Sequence, residues 1–404
     1  MDWTKVYSRN FKNIGHSDVA EILKLAEQPE VISFAGGLPD PETFLLEEIK
    51  EATNEVYANV RSPILGYGPV PGVKRYREWL AERMTRQGRP TEMSECIATT
   101  GGIAAFDLIC KILLDPGDVV VVGEPSYLAV LHVVRSYEGR FVGAALDSDG
   151  MNPDALEAKL RELQKAGKRP KFIYTVPSFQ NPAGVTMSTE RRQKIIAVAR
   201  EFNVPIVEDA AYRDLRFSGE APPLLAALDP ENVIHINTFS KIFNPGIRLG
   251  WLTAPRDFTN AVVLAKQGQD QCSSTLGQYL IPAFDEKGLL EKQIENAKSV
   301  YRKKCGVMLE TMAQTFPQNA TWTQPEGGFY TWATFPETTD TEALLPRAIE
   351  ETSVAYVSGS TFYHDRSVKN KMRICYSFVS EEKIKTGITR LGELLRSVAD
   401  KADA

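Results

Sequence analysis

Histidine and cysteine are scarce in this chain, four and five among 404 residues. His16, His132, His235 and His364 show no ligand spacing with one another or with a cysteine, which argues against a structural metal. Cys96, Cys110, Cys272, Cys305 and Cys375 are odd in number, scattered and without a CxxC pair. They read as reduced thiols rather than a disulfide framework. There is no basic run, and the formal net charge of -5 argues against general nucleic-acid binding. Nowhere do apolar residues run together for the ~18 positions a membrane helix needs. "MDWTKVYSRNFKN" lacks an apolar signal core, so a soluble, cytoplasmic protein with no membrane contact is expected. Chemistry based on a histidine or cysteine nucleophile is not indicated.

What is present is an ordinary globular composition, 43% hydrophobic and 25% charged, with length for about two to three domains. The middle of the chain alternates short apolar runs with amphipathic stretches. "DVVVVGEP", "KFIYTVP", "VPIVED" and "NVIHINT" read as buried strands. Between them, "TERRQKIIAVAREFN" places Ile195, Ile196, Val198 and Ala199 on one helical face, and "MNPDALEAKLRELQKAG" opens on Asn152-Pro153. This alternation predicts an α/β domain with a mainly parallel sheet. From about residue 290 a long helix leads into short strands, "GGFYTWATF" and "KMRICYSF", and a last helix. That pattern predicts a smaller α+β domain.

Ligands of parallel α/β sheets bind outside the carboxyl ends of the strands. Four expected strand ends carry suggestive residues: Asn181 in "PSFQNPAG", Asp209 with Tyr212 in "VEDAAY", Lys241 in "NTFSK", and Gly101-Gly102 in "TTGG" before a helix. Backbone N–H groups at such a helix start favour an anion. Lys241 stands beside Ser240, with Arg248 soon after. Each has a plain alternative: a solvated turn for Lys241, a helix cap for Asp209, a simple turn for the glycines. The ordered combination is the argument for a site.

That ordered set resembles the fold-type-I pyridoxal-5′-phosphate (PLP) aminotransferases of class I/II, and within them the branch holding 2-aminoadipate, kynurenine and aromatic aminotransferases. The resemblance runs from "VISFAGGLPDPETF" to "MRICYSF". It implies a PLP-dependent transferase fold and a homodimer with shared active sites. Residues 1–60 would contribute to the small domain and dimer contacts, 61–295 would form the large PLP-binding domain, and 296–404 the C-terminal small domain.

The resemblance also implies a task for each position. Lys241 forms the Schiff base and shuttles the Cα proton. Asp209 faces the pyridine nitrogen, Tyr212 and Asn181 bond the ring's phenolic oxygen, and Tyr127 stacks on the ring. The phosphate falls to the N–H groups of Gly102 and Ile103, with Thr238, Ser240 and Arg248, and to Tyr67 of the neighbouring subunit. Arg373 binds the substrate α-carboxylate, for which the alternative is a solvent-facing strand arginine, and Gly37 and Asn181 lie beside it.

Two departures stand out. Related sequences follow "TTG" with Ser-Gln-Gln, whereas Gly102, Ile103 and Ala104 stand here. Where aminoadipate-type enzymes tend to carry an arginine stands Ala20, flanked by Ile14, Val19 and Leu23. Aromatic or large aliphatic donors are therefore expected, with 2-aminoadipate a further candidate. 2-Oxoglutarate is the expected acceptor, its distal end reached by Arg9 or Lys12. The rival readings are a PLP-dependent β-lyase or decarboxylase on the same fold, and a PLP- or amino-acid-sensing regulator. The regulator would carry a winged-helix segment ahead of this sequence.

Overall fold

A computed structural model describes residues 1–14 and 30–402. Fourteen strands can be followed in chain order. β1 (Ile32–Ser33) precedes β2 (Cys96–Thr99), β3 (Val119–Glu124), β4 (Arg140–Asp147), β5 (Gly150–Met151), β6 (Phe172–Thr175), β7 (Ile206–Asp209), β8 (Val233–Thr238) and β9 (Gly250–Thr253). Then come β10 (Thr321–Trp322), β11 (Tyr330–Thr334), β12 (Val354–Ala355), β13 (Val357–Ser358) and β14 (Lys371–Cys375). The large sheet has the order β2-β9-β8-β7-β6-β3-β4-β5. The ladder from β8 through β7, β6 and β3 to β4 is parallel, while β9 is antiparallel to both β8 and β2. β2 therefore points the same way as β8, and the ends of β2, β3, β6, β7 and β8 share one edge.

The apolar runs are continuous because both faces of this sheet are covered. Val120 and Val122 pack on one face with Phe106 and Ile109 of the helix Gly102–Leu113. Val119 and Val121 pack on the other with Leu156, Leu160, Ile195 and Ile196. The helix Pro153–Lys165 starts as expected, with Asn152 Oδ1 accepting from the amides of Asp154 and Ala155. In the helix Thr189–Glu201, Ile195, Ile196 and Ala199 are buried and Val198 is half-buried. Arg192 is buried there too, its guanidinium held by the carbonyls of Met187, Pro177 and Pro223.

β10, β11, β14 and β13 form a separate antiparallel sheet, and the helices Leu289–Thr315 and Glu381–Ala402 pack on each other. β1 pairs in parallel with β12, which draws the N-terminal segment to this half of the molecule. The Phe34 amide donates to Ala355 O and its carbonyl accepts from Cys375 N. Among the described residues no helix is long and apolar enough to cross a membrane, and no group of three or more His, Cys, Asp or Glu is placed to hold a metal.

The two halves also meet at the end of β3. Ser126 N donates to Phe362 O at 2.8 Å, and Glu124 Oε1 takes both the amide and the Nδ1 of His364. That hydrogen bond holds the His364 imidazolium above its usual range, with Asp365 helping and Arg135 opposing. A histidine raised in this way stabilises the fold below its ordinary pKa and loses the effect as pH rises through the raised value. The melting-temperature gap between wild type and His364→Asn is therefore expected to narrow from about pH 6 upward. A gap independent of pH would mean that the tie needs no charge.

Candidate active site

The edge shared by the parallel strands gathers the candidate residues. Asp209 ends β7 and is 8% exposed. Its Oδ2 accepts from Tyr174 Oη at 2.8 Å and its Oδ1 from Ala211 N at 3.1 Å. The helix-cap reading fails, because the next helical turn, Arg213–Leu215, has Tyr212 at its cap position. Burial pushes this carboxyl above its ordinary range, although both hydrogen bonds oppose the shift. The neighbouring Glu208 points through the opposite face, where it accepts from the amides of Leu225 and Ala226 and pairs with His235. Strand alternation alone separates the two acids.

Lys241 follows β8, and its Nζ donates to Gly37 O at 2.7 Å. The ammonium lies 5.9 Å from the Tyr212 ring centre and 5.6 Å from that of Phe329. Burial, with Arg373 and Arg248 adding like charge, brings it down to about 8. Half-buried and engaged by a backbone carbonyl, Lys241 does not sit in a freely solvated turn. A Cβ on Gly37 would stand 1.9 Å from Tyr330 Oη, so only glycine fits this approach. Tyr330 Oη in turn lies 3.0 Å from Tyr212 Oη.

Arg373, on β14, is 5% exposed rather than solvent-facing. Its Nη1 donates to Asn181 Oδ1 at 2.9 Å and its Nη2 to Ala35 O at 2.5 Å. The guanidinium sits over the rings of Tyr330 and Phe362. Because arginine can only donate, Asn181 must present its oxygen here, which leaves its amide nitrogen to donate elsewhere. Tyr127 caps the helix Leu128–Ser136, and burial, then the Asp209 charge, push its phenol up to about 12.

The anion-binding candidates form a second cluster at the same edge. Gly101 has φ +101 and precedes the helix Gly102–Leu113, whose first residues, Gly102 and Ile103, are half-buried. Thr238 Oγ1 donates to Ser240 Oγ at 2.9 Å and accepts from Ser240 N at 3.1 Å. Arg248 is exposed, with φ +50, and reaches back to Thr100 O at 3.2 Å. A Cβ on Gly250 would lie 3.0 Å from the Gly101 backbone, which shows how tightly β9 is drawn under the turn.

Two expectations fall apart from this gathering. Tyr67 is 89% exposed. Arg9 is engaged by Glu138 at 2.8 Å. Ala20, Val19 and Leu23 lie outside the described residues. The sequence reading also passed over Tyr174, Tyr330 and Phe329. For Tyr174 and Tyr330 the available signal was a lone hydroxyl-tipped ring inside a buried strand, which reads as core; Phe329 offered none.

The family model for aminotransferase class I and II matches residues 29–391. The chain is 42% identical to aromatic-amino-acid aminotransferase 1 of Thermococcus litoralis over 403 residues, 99% of this chain and 96% of that one. It superposes on a multiple substrate aminotransferase from Thermococcus profundus with a TM-score of 0.95 and 40% identity, covering 99% of this chain and all of that one. The alpha-aminoadipate aminotransferase of Thermus thermophilus, crystallised with N-(5′-phosphopyridoxyl)-L-leucine, gives a TM-score of 0.91 at 32% identity, over 99% of this chain and all of that one. With so much of its length matched, the chain belongs to the class I and II aminotransferases.

Proposed function

We propose that the enzyme moves the amino group of an aromatic or large aliphatic α-amino acid to a 2-oxo acid such as 2-oxoglutarate. It is a PLP-dependent aminotransferase. The carrying observation is that a half-buried amine brought down to about 8 and a buried carboxylate share one edge of the large sheet, and that a buried arginine from β14 reaches the same edge through Asn181. The residues fit the cofactor. Asp209 has no ion-pair partner among the described residues, and the hydroxyls of Thr238 and Ser240 stand beside a glycine-led helix start.

Bound PLP supplies an electrophilic carbonyl and a ring that takes up the electron pair released at the substrate Cα. Lys241 would hold that group through its Nζ and would carry the Cα proton. Asp209 keeps the ring nitrogen protonated. Tyr212 Oη and the free amide nitrogen of Asn181 donate to the phenolic oxygen, and Tyr127 covers the ring. Gly102 and Ile103 N–H, Thr238, Ser240 and Arg248 hold the phosphate. Arg373 takes the substrate carboxylate as a fork, with Gly37 leaving it room. The rings of Tyr330, Tyr127 and Phe362 around Arg373 favour an apolar substrate side chain. We further propose a cytoplasmic homodimer in which exposed Tyr67 reaches the phosphate across the interface. Residues 1–60, 61–295 and 296–404 would serve as N-terminal segment, PLP domain and small domain.

A donor panel tests the reaction and the preference together. L-phenylalanine and L-leucine should convert the cofactor to its amine form with a higher kcat/KM than 2-aminoadipate or glutamate. A preference for 2-aminoadipate would reject the substrate reading. Turnover that never leaves the amine form would point to a lyase or decarboxylase.

A further inference from the structure

The turn that opens the anion-binding helix is gripped by a segment with no part in the chemistry described so far. Thr100 stands just before Gly101 and Gly102, and its hydroxyl donates to Asp270 Oδ2 at 2.5 Å. Asp270 is itself bound by the ammonium of Lys266, a side chain with no exposed surface that also donates to Ser273 Oγ at 3.1 Å. Ser273 Oγ lies 3.3 Å from Thr100 Oγ1, so a carboxylate, an ammonium and a hydroxyl close on one threonine. Arg248 Nη2 meanwhile holds the carbonyl of the same residue. Thr100 is thus fixed through both its side chain and its backbone.

A pair that buries its lysine and leaves its aspartate only half-buried adds little net stability over an apolar equivalent, so its position calls for another explanation. Positions 102–104 are Gly, Ile and Ala, and none offers a hydroxyl. From residues 102–104 a phosphate would receive main-chain N–H groups alone, whose usefulness depends on their direction. The Thr100 hydroxyl does not substitute for the missing contact, being committed to Asp270. Lys266 also neutralises Asp270, so the carboxylate does not repel the anion it helps to seat.

We propose that Asp270, held by Lys266, is a positioning residue that acts through Thr100 to aim the N–H groups of Gly102 and Ile103 at the cofactor phosphate. The proposal rests on the assignment of that turn to PLP phosphate. Its test compares PLP with pyridoxal, which has the same ring and aldehyde and lacks the phosphate. Binding of each to the apoprotein is followed by absorbance for wild type, Thr100→Val, Thr100→Ser and Asp270→Asn. Mis-aimed N–H groups would cost the phosphate about one charge-assisted hydrogen bond, a factor of about ten, so PLP should bind about tenfold more weakly to Thr100→Val and Asp270→Asn. Pyridoxal affinity should be unchanged, and Thr100→Ser should match wild type. Equal losses for both ligands would mark general loosening and overturn the proposal, as would unchanged PLP affinity. A wild type that binds PLP no better than pyridoxal would instead overturn the phosphate assignment itself. If Asp270→Asn does not fold, the two Thr100 variants decide the matter.

Discussion

Lys241→Ala should fold, bind PLP without a covalent bond, and transaminate at least ~10³-fold more slowly than wild type. The size of the effect follows from two losses. With its pKa brought down to about 8, about a tenth of the Lys241 amine is neutral at pH 7, roughly 300-fold more than for an ordinary lysine. On the proposed assignment, the neutral amine would be the form that holds the aldehyde, with loss of water, and the same nitrogen would carry the Cα proton. Alanine does neither. Stability should not suffer, because the substitution removes an ammonium that burial disfavours. Borohydride treatment followed by mass spectrometry should fix the cofactor onto Lys241 in wild type. Label on another lysine would refute the assignment. Mixed with Tyr67→Phe protomers, Lys241→Ala should recover activity if each site borrows Tyr67 from its partner.

Asp209→Asn should slow the first half-reaction by about two orders of magnitude or more, the ring nitrogen no longer being held protonated. Its stability should move the other way. The folded pKa of Asp209 is raised, so the native state binds more protons than the unfolded chain between the two values. The contribution of this group to stability therefore falls as pH rises through that window, and at neutral pH the apoprotein bears a strain that asparagine removes. The Asp209→Asn apoprotein should melt at or above the wild-type temperature at pH 7 while reacting poorly. A rate within a few-fold of wild type would show that the carboxylate serves only Tyr174 and Ala211.

The buried strands β3, β6, β7 and β8 were legible because parallel strands covered on both faces must be apolar throughout. The helix start at Asn152 was legible because caps are local chemistry. β9 was not, since "GWLT" has neither the length nor the pattern to announce a reversed strand inside a parallel sheet. The choice of Asp209 over Glu208 came from the motif, as composition treats adjacent acids alike and only the pleat distinguishes them. Tyr174, Tyr330 and the Asp270 grip escaped notice for a different reason. They matter through partners far away in the chain, such as Tyr212 for Tyr330 and Thr100 for Asp270, and no short window holds both ends.

The pairing of Phe34 with Ala355 and Cys375 has a consequence in time. Phe34 and Ala35 are among the first residues to be synthesised, yet Ala355, Cys375 and Arg373, which receive them, are more than 300 positions downstream, and Arg373 meets Ala35 across 338 residues. At ~5–20 residues per second the interval is roughly 20–70 s. All strands of the large sheet have been made once Thr253 has been added, so the lysine, the carboxylate and the phosphate cradle can assemble on the ribosome. The carboxylate fork and the Gly37 loop cannot. On the proposed assignment, the residues that would hold the cofactor have therefore all been made before Arg373, which would bind the substrate carboxylate, and the last strand synthesised is the one that would admit an amino acid.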